Sequence, residues 1–276
     1  MLARLLEAAT KTLSAAAHRR RERAVSATVR RGERALAAGF KAQGTAFLRK
    51  LATQRASFPT TEALREGAND VLDWEPLFTA AELATLSVLE KPLSAIVRAA
   101  LAAGIRVSVA DLKTAIAFNL KHPAAVAYVQ EHGAALVTAI NEHTRSRIRS
   151  IMTQAVDEGW SYDRTAKQLQ DLYQGFSVGK PQLHIDSRAH LIAVQEAKDA
   201  YEHGNALVGH ELAAAGLDMQ KFWLTVGDER VSAECHANEV AGWIPFAVLY
   251  PSGKDRPLQH VGCRCTQLLR HAPDPK

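Results

Sequence analysis

The spacing of apolar and polar positions predicts a first long helix over residues 2–50. Alanine, leucine and arginine dominate this stretch, all of them strong helix formers, and the first proline of the chain is Pro59. The apolar residues are loosely spaced and are interrupted by the basic run Arg19–Arg23, so the amphipathic stripe is weak. Such a helix is better suited to lying on another surface than to forming a buried core. A break in the helix is predicted around residues 57–61.

Cap and stop signals divide the next part of the chain into several predicted helices. Residues 79–82, Thr-Ala-Ala-Glu, form a capping box that predicts the start of a helix. Pro92 predicts the end of that helix or a kink in it, and Gly104 predicts the end of a further helical run. Ser108 is predicted to cap the next helix, which stops at Pro123.

The strongest helical periodicity lies between residues 124 and 158. Apolar residues fall three or four positions apart, or at multiples of these steps, while arginines occupy the polar side. Gly159 is predicted to end this helix, and Ser161 to cap another that closes near Gly175. The apolar face consists of Leu136, Ile140, Ile148, Ile151 and Ala155.

One more helix is predicted before the pattern changes. Asp186 or Ser187 caps it, and Gly204 with Asn205 forms its stop signal. A shorter helix over residues 207–215 completes the helical part.

After Gly216 the chain becomes richer in aromatic and β-branched residues, which predicts short strands. Residues 221–226 are predicted as strand and turn, residues 251–257 as a loop, and residues 263–268 as a last strand. The predicted fold class is therefore mainly α, with helical N-terminal and middle regions and a small C-terminal β-containing (α+β) element. The predicted divisions are a basic helical arm (1–56), a helical region (57–122), a second helical region (123–217) and a β-rich Cys/His tail (218–276).

The charge of the chain is unevenly distributed. The net charge is +5, yet residues 1–55 hold 13 of the 34 Lys and Arg residues and only 3 of the 29 acids. Such an asymmetry is typical of a segment that meets phosphate or an acidic partner, and equally of a solvated basic helix face. Apolar runs are too short for a membrane span, and no secretory signal is recognised at the N-terminus. The arginines predicted to contact nucleic acid or an acidic partner are Arg19, Arg20, Arg21, Arg23, Arg30, Arg31 and Arg34.

The tail contains all three cysteines of the chain and a histidine close to two of them. Three sulfurs and one imidazole form a ligand set that zinc accepts in tetrahedral geometry, and a small element gains from such a cross-link. Ser232 stands where a second cysteine would complete a Cys-x-x-Cys pair, and His236 is a substitute ligand. The alternative is that the cysteines are small buried apolar residues. The candidate ligands for a structural zinc ion are Cys235, His260, Cys263 and Cys265.

Catalysis is the second function class that the tail raises. Cys235 beside His236, or Cys263 near His260, offers a thiol with a neighbouring base, and Asp228, Glu229 and Glu234 offer carboxylates for a metal-dependent nuclease. A solvated turn is the far commoner setting of such carboxylates, and the chain contains no glycine-rich phosphate loop, HExxH or GxSxG motif. The chain is therefore predicted not to be an enzyme.

An ordered set of residues in the tail resembles a known family. Residues 223–230 (Trp-Leu-Thr-Val-Gly-Asp-Glu-Arg), then Cys235, Gly242 and residues 260–265 (His-Val-Gly-Cys-Arg-Cys) are similar to the C-terminal signature of phage Mu F-like head morphogenesis proteins. Upstream helical segments are similar as well, so the resemblance covers about residues 124–268. Two positions depart from the pattern: Ser232 replaces a frequent cysteine, and residues 194–196 are Val-Gln-Glu rather than Arg-Thr-Glu.

The resemblance implies a minor head component of a virion, assembled in the bacterial host cytoplasm. It implies action at the portal or the capsid interior, with portal and major capsid proteins as partners and non-specific contact with packaged double-stranded DNA. No membrane partner is expected, and the alternative function is a metal-dependent nuclease or toxin-like enzyme. The residues to which the family signature gives a structural role are Trp223, Asp228, Arg230, Gly242 and Arg264.

Overall fold

The computed structural model describes residues 2–58, 73–113, 122–178 and 187–273, with the side chains of residues 2–14, 57 and 133–134 excepted. These residues are mostly helical and end in a small sheet, which confirms the predicted fold class. The helices are α1 (Leu2–Thr53), α2 (Glu75–Asp111), α3 (Pro123–Asp157), α4 (Tyr162–Val178), α5 (Arg188–Ala214) and α6 (Ala233–Val240), with a 3-10 turn at Arg55–Ser57. The strands are β1 (Met219–Leu224), β2 (Trp243–Pro245) and β3 (Thr266–His271).

The three strands form an antiparallel sheet in the order β2-β1-β3. In the central strand β1, Phe222 lies opposite Trp243 of β2 and Leu268 of β3. Since β3 is an edge strand, the backbone groups that point away from β1 need other partners. Gln267 finds them on α5: its N–H donates to Glu202 and its carbonyl accepts from Asn205.

The chain forms two compact units. Unit 1 consists of Met1–Arg30, Ala95–Val129 and Ala193–Lys276, and it contains the sheet. Unit 2 consists of Arg31–Ser94 and Gln130–Ile192. Because α1, α2, α3 and α5 each contribute to both units, unit boundaries do not coincide with helix ends. The four segments predicted from the sequence stay a prediction.

The local helix signals between residues 123 and 190 are confirmed. Helix α3 covers the predicted periodic segment, and Gly159 follows it with a positive φ of 63°. Ser161 caps α4 by accepting from the N–H of Arg164 at 3.3 Å, and Ser187 caps α5 by accepting from the N–H of His190 at 3.0 Å. Helix α4 continues past Gly175 to Val178, and Asp186 lies outside the described residues.

The predicted helix boundaries within α2 are wrong. The helix begins at Glu75, before the supposed capping box at residues 79–82, and Pro92 lies inside it without ending it. Buried Leu89 and Leu93 hold the chain on either side of Pro92, so packing compensates for the hydrogen bond that proline cannot donate. Ser108 is not an N-cap: its hydroxyl bonds to the Gly104 carbonyl and to Asn205 within the interior.

Glycines at positions 104 and 204 do not end helices but let two helices of unit 1 approach closely. A Cβ on Gly104 would lie 2.0 Å from the Tyr201 carbonyl oxygen, and one on Gly204 would lie 2.4 Å from that of Leu101. Neither distance is sterically allowed, so only glycine fits where α2 meets α5. The predicted stop at Gly204 is therefore wrong, and the predicted helix 207–215 is the last part of α5.

Unit 2 has an aromatic core of its own. Phe40 and Tyr173 each meet Phe176 edge to face, with ring centroids 5.2 and 5.4 Å apart. The guanidinium of Arg188 lies over Phe40 and Phe176 and also donates to the Ile140 carbonyl. These contacts hold α1, α3, α4 and the start of α5 together within the unit.

Among the described residues, α2 is the one helix long and apolar enough to cross a membrane by length and composition alone. Half of its most apolar window is buried inside the protein. A helix in a protein core is apolar because it is buried, and burial explains the hydropathy of α2 in the same way.

Replacing Gly104 with alanine is expected to lower the free energy of unfolding by about 3 kcal/mol, because the new methyl group meets a backbone carbonyl that cannot move aside. Gly175→Ala is the matched control: nothing lies within 4 Å of the new Cβ, and the lost backbone freedom should raise stability by about 0.5 kcal/mol. Urea denaturation followed by circular dichroism measures both. Equal stability of Gly104→Ala and the unchanged protein would contradict the close approach.

Candidate functional site

The three cysteine sulfurs meet in the interior of unit 1. Their Sγ atoms all lie within 4.8 Å of one another, and those of Cys235 and Cys263 are 3.7 Å apart. Cys235 lies in the first turn of α6, where its N–H donates to the capping hydroxyl of Ser232 at 3.3 Å. Cys263 and Cys265 lie in the segment that leads into β3, which begins at Thr266, three residues later than the predicted strand.

Aromatic side chains enclose the sulfurs. Trp223 and Tyr250 belong to the same buried cluster as the three cysteines, and their rings meet edge to face with centroids 5.0 Å apart. Val231, Ile244 and Leu258 pack against this cluster from its margin. The sulfurs are therefore shielded from water, since none of the three cysteines is more than 3% exposed.

Hydrogen bonds between the thiols separate their acidities. The bond with Cys265 lowers the pKa of Cys263 to about 4, and the backbone N–H groups of Cys265 and Gln259 act in the same direction. The same side-chain bond, together with burial, raises the pKa of Cys265. Burial raises the pKa of Cys235 as well.

The structure brings together three of the four predicted zinc ligands. His260 is exposed, and its Nδ1 lies 3.1 Å from the carbonyl oxygen of Val261, outside the group of sulfurs. His236, the substitute ligand, is also exposed. Three thiolates suit a soft or borderline metal such as zinc, and whether the metal is bound stays a prediction.

The family-signature residues around the cluster have structural partners. Asp228 accepts from both terminal nitrogens of Arg264, one of them at 2.6 Å, and from the backbone N–H of Arg230 at 3.2 Å. These bonds, with that from Arg264 the largest, hold the pKa of Asp228 far below its usual range. Gly242 follows the end of α6 with a positive φ of 71°, where a side chain would be strained. Because both Asp228 oxygens are already bonded, the geometry gives no support to a nuclease at this carboxylate.

A buried ion pair next to the cluster was not predicted from the sequence. Arg21 of α1 and Glu202 of α5 are 1% and 0% exposed, with nitrogen and oxygen 3.3 Å apart. Arg21 also donates to the backbone carbonyls of Arg264 and Cys265. Glu202 accepts from the Thr266 hydroxyl at 2.6 Å. The two charges are 181 residues apart in the chain, so no local pattern links them.

The burial of Arg21 corrects one of the predicted contacts with nucleic acid. Its guanidinium lies in the interior of unit 1 and cannot reach an external phosphate. Arg20 is exposed and pairs with Asp111 at 3.3 Å. The remaining members of the predicted set are also exposed, namely Arg19, Arg23, Arg30, Arg31 and Arg34.

Lys198 of α5 is a second buried cation that the sequence did not reveal. Its side chain is 8% exposed, and its ammonium lies 3.7 Å from a carboxylate oxygen of Glu22, which is itself 58% exposed. Burial lowers the pKa of Lys198 to about 8, against which the charge of Cys263 acts. One helical turn earlier, Gln195 accepts from the N–H of Gly262 at 3.0 Å and so holds the cysteine-bearing segment against α5.

Comparison with known families supports the resemblance. Residues 146–268 match the family described as Phage Mu protein F like protein. This range contains the cysteine cluster, the Asp228–Arg264 pair and Glu202. No curated protein and no solved structure was found to match the chain.

Replacing Arg21 with methionine is expected to lower the free energy of unfolding by about 3 kcal/mol or more, because the carboxylate of Glu202 then lies buried without its cation. The double variant Arg21→Met, Glu202→Gln should lose clearly less than the two single variants together. Arg20→Met, at an exposed pair, should stay within about 0.5 kcal/mol of the unchanged protein. Urea denaturation measures these four variants and the unchanged protein, and additive losses would show that the two charges are not coupled.

Proposed function

Residues 146–268 carry a domain of the Phage Mu protein F like family, and from this premise we propose that the protein is a minor structural component of a phage head. The family is one of phage head morphogenesis proteins. The protein acts in head assembly at the portal or the capsid interior, without catalysing a reaction. Exposed arginines of α1 contact packaged double-stranded DNA.

The family match over the whole cysteine-bearing element is the observation that carries this proposal. The roles of the signature residues support it. Trp223 packs in the cluster core, Asp228 pairs with Arg264, and Gly242 terminates a helix. Each of these residues stabilises the element, so the signature is that of a rigid assembly part rather than of a catalytic cleft.

The exposed arginines of α1 support the DNA contact. Arginine side chains on one long helix neutralise phosphates without reading bases, which suits DNA of any sequence inside a capsid. The acidic residues of the first 55 positions are few, so little repulsion opposes the approach of phosphate. Arg21 takes no part because its charge is satisfied internally.

The head-assembly role is tested by particle composition. Gradient-purified phage particles and their precursors, analysed by mass spectrometry, should contain the protein in low copy number. Pull-down of the tagged protein should recover the portal protein or the major capsid protein. Absence from both mature and precursor particles, with no recovery of either partner, would contradict the role.

Glutamine substitution of the six predicted and exposed arginines of α1 is expected to weaken binding to a random-sequence DNA duplex; these are Arg19, Arg20, Arg23, Arg30, Arg31 and Arg34. Because each phosphate contact contributes about 0.9 to the slope of log K against log salt, that slope should fall by up to roughly five. Fluorescence anisotropy over a range of salt concentrations measures it.

The matched control replaces six exposed basic residues elsewhere and changes the net charge by the same amount. Its salt dependence should stay closer to that of the unchanged protein. Equal losses in the two variants would show that net charge, and not α1, governs the interaction. The control positions are Arg98, Arg106, Arg147, Lys167, Arg230 and Lys254.

A further inference from the structure

We propose that the sulfurs of Cys235, Cys263 and Cys265 together bind one zinc ion as thiolates, and that Lys198 is the buried counter-charge of this centre. The inference concerns the interior of unit 1. It does not depend on the role in head assembly, and it differs from the ligand set predicted from the sequence because His260 is not a ligand.

The distance between sulfurs is that of a shared metal ion. Zinc bonds thiolate sulfur at about 2.3 Å, and two ligands at a tetrahedral angle are then about 3.8 Å apart. The sulfurs of Cys235 and Cys263 are 3.7 Å apart. A disulfide would require about 2.05 Å, so the observed distance fits two ligands of one ion rather than a covalent bond.

The donor atoms determine the class of ion. The group contains three sulfurs and no carboxylate, and it lies behind Trp223 and Tyr250. Hard cations such as magnesium and calcium select oxygen ligands, whereas thiolates select zinc, cadmium and copper(I).

The charge around the sulfurs favours an anionic centre. Zinc with three thiolates carries one net negative charge, and burying such a charge is costly without a cation nearby. Lys198 is nearly inaccessible, and among the described residues the carboxylate paired with it, on Glu22, is more than half exposed. Lys198 lies one turn beyond Gln195 on α5, and Gln195 accepts from the N–H of Gly262, the neighbour of Cys263. The metal-thiolate centre therefore gives the buried ammonium an interior partner of opposite charge.

The centre joins parts of the chain that contribute little buried surface on their own. Cys235 belongs to the eight-residue helix α6, and Cys263 and Cys265 to the irregular segment before β3. A shared ion fixes the helix to that segment. His260 is left out of the proposed ligand set because it is exposed and its Nδ1 lies 3.1 Å from the Val261 carbonyl oxygen.

Cadmium titration of the metal-free full-length chain tests the proposal. Sulfur-to-cadmium charge-transfer absorption should rise to saturation at one ion per chain, and zinc should compete for the site. Bound metal should protect all three thiols from a disulfide-exchange reagent. Serine at any of the three cysteine positions should weaken cadmium binding by roughly a hundredfold or more, since an anionic sulfur ligand is lost.

Three further variants separate the roles of neighbouring residues. Lys198→Met should weaken binding about tenfold to a hundredfold, the usual effect of losing a group outside the coordination shell. Lys167→Met, which removes an exposed lysine of α4, should leave the affinity unchanged. His236→Ala and His260→Ala should also leave it unchanged.

Several results would overturn the proposal. If the unchanged protein shows no charge-transfer absorption, it does not bind the metal at these sulfurs. A non-reduced mass that is lower by two hydrogens would indicate a disulfide instead. Loss of affinity in His260→Ala would replace the three-sulfur assignment with one that includes the imidazole. If Lys198→Met and Lys167→Met bind cadmium with equal affinity, Lys198 is not the counter-charge of the centre. The titration of the unchanged protein is decisive even where a cysteine variant fails to fold.

Discussion

The carboxylate of Glu202 is the point on which unit 1 depends. It is fully buried, and burial of a charged carboxylate is tolerated only where each oxygen has a donor. Arg21 of α1, the Thr266 hydroxyl and the Gln267 N–H supply those donors. Since Thr266 and Gln267 lie in the edge strand β3, the same carboxylate also satisfies a backbone group that no neighbouring strand could pair. Burial raises the pKa of Glu202, and the charge of Arg21 opposes this effect.

Sequence patterns predicted those features of the fold that depend on neighbours in the chain. The periodic helix α3 and the caps at Ser161 and Ser187 are of this kind, because each involves residues within four positions of one another. Gly104 and Gly204 were misread as helix ends. Glycine is required because a Cβ at these positions would lie 2.0 and 2.4 Å from backbone carbonyl oxygens of the other helix. No local sequence pattern contains that information. Glycine inside an otherwise helical pattern therefore has two explanations, and contacts decide between them.

The candidate site likewise has features that the sequence predicted and features that it did not predict. Residue type and spacing predicted that the three cysteines either bind a metal ion or are small buried apolar residues. Proximity in sequence suggested His260 as a fourth member, but the direction of its side chain is set by a turn and takes it to the surface. Arg21 lies in a run of arginines that looks uniform by charge. Only a partner 181 residues away distinguishes the buried member from its exposed neighbours.

The pairing of Arg21 with Glu202 also shows that the matched range and the compact unit 1 do not have the same extent. The matched range begins at residue 146, whereas the cation that neutralises Glu202 lies on the first helix. A fragment cut at the family boundary would retain the buried carboxylate and lose its charge partner, so such a fragment is not a faithful sample of the intact molecule. Helix α1 is therefore anchored in the interior of unit 1 at Arg21 and is not a separate basic arm there. Arg21 contacts the backbone beside the cysteines directly, through the carbonyls of Arg264 and Cys265.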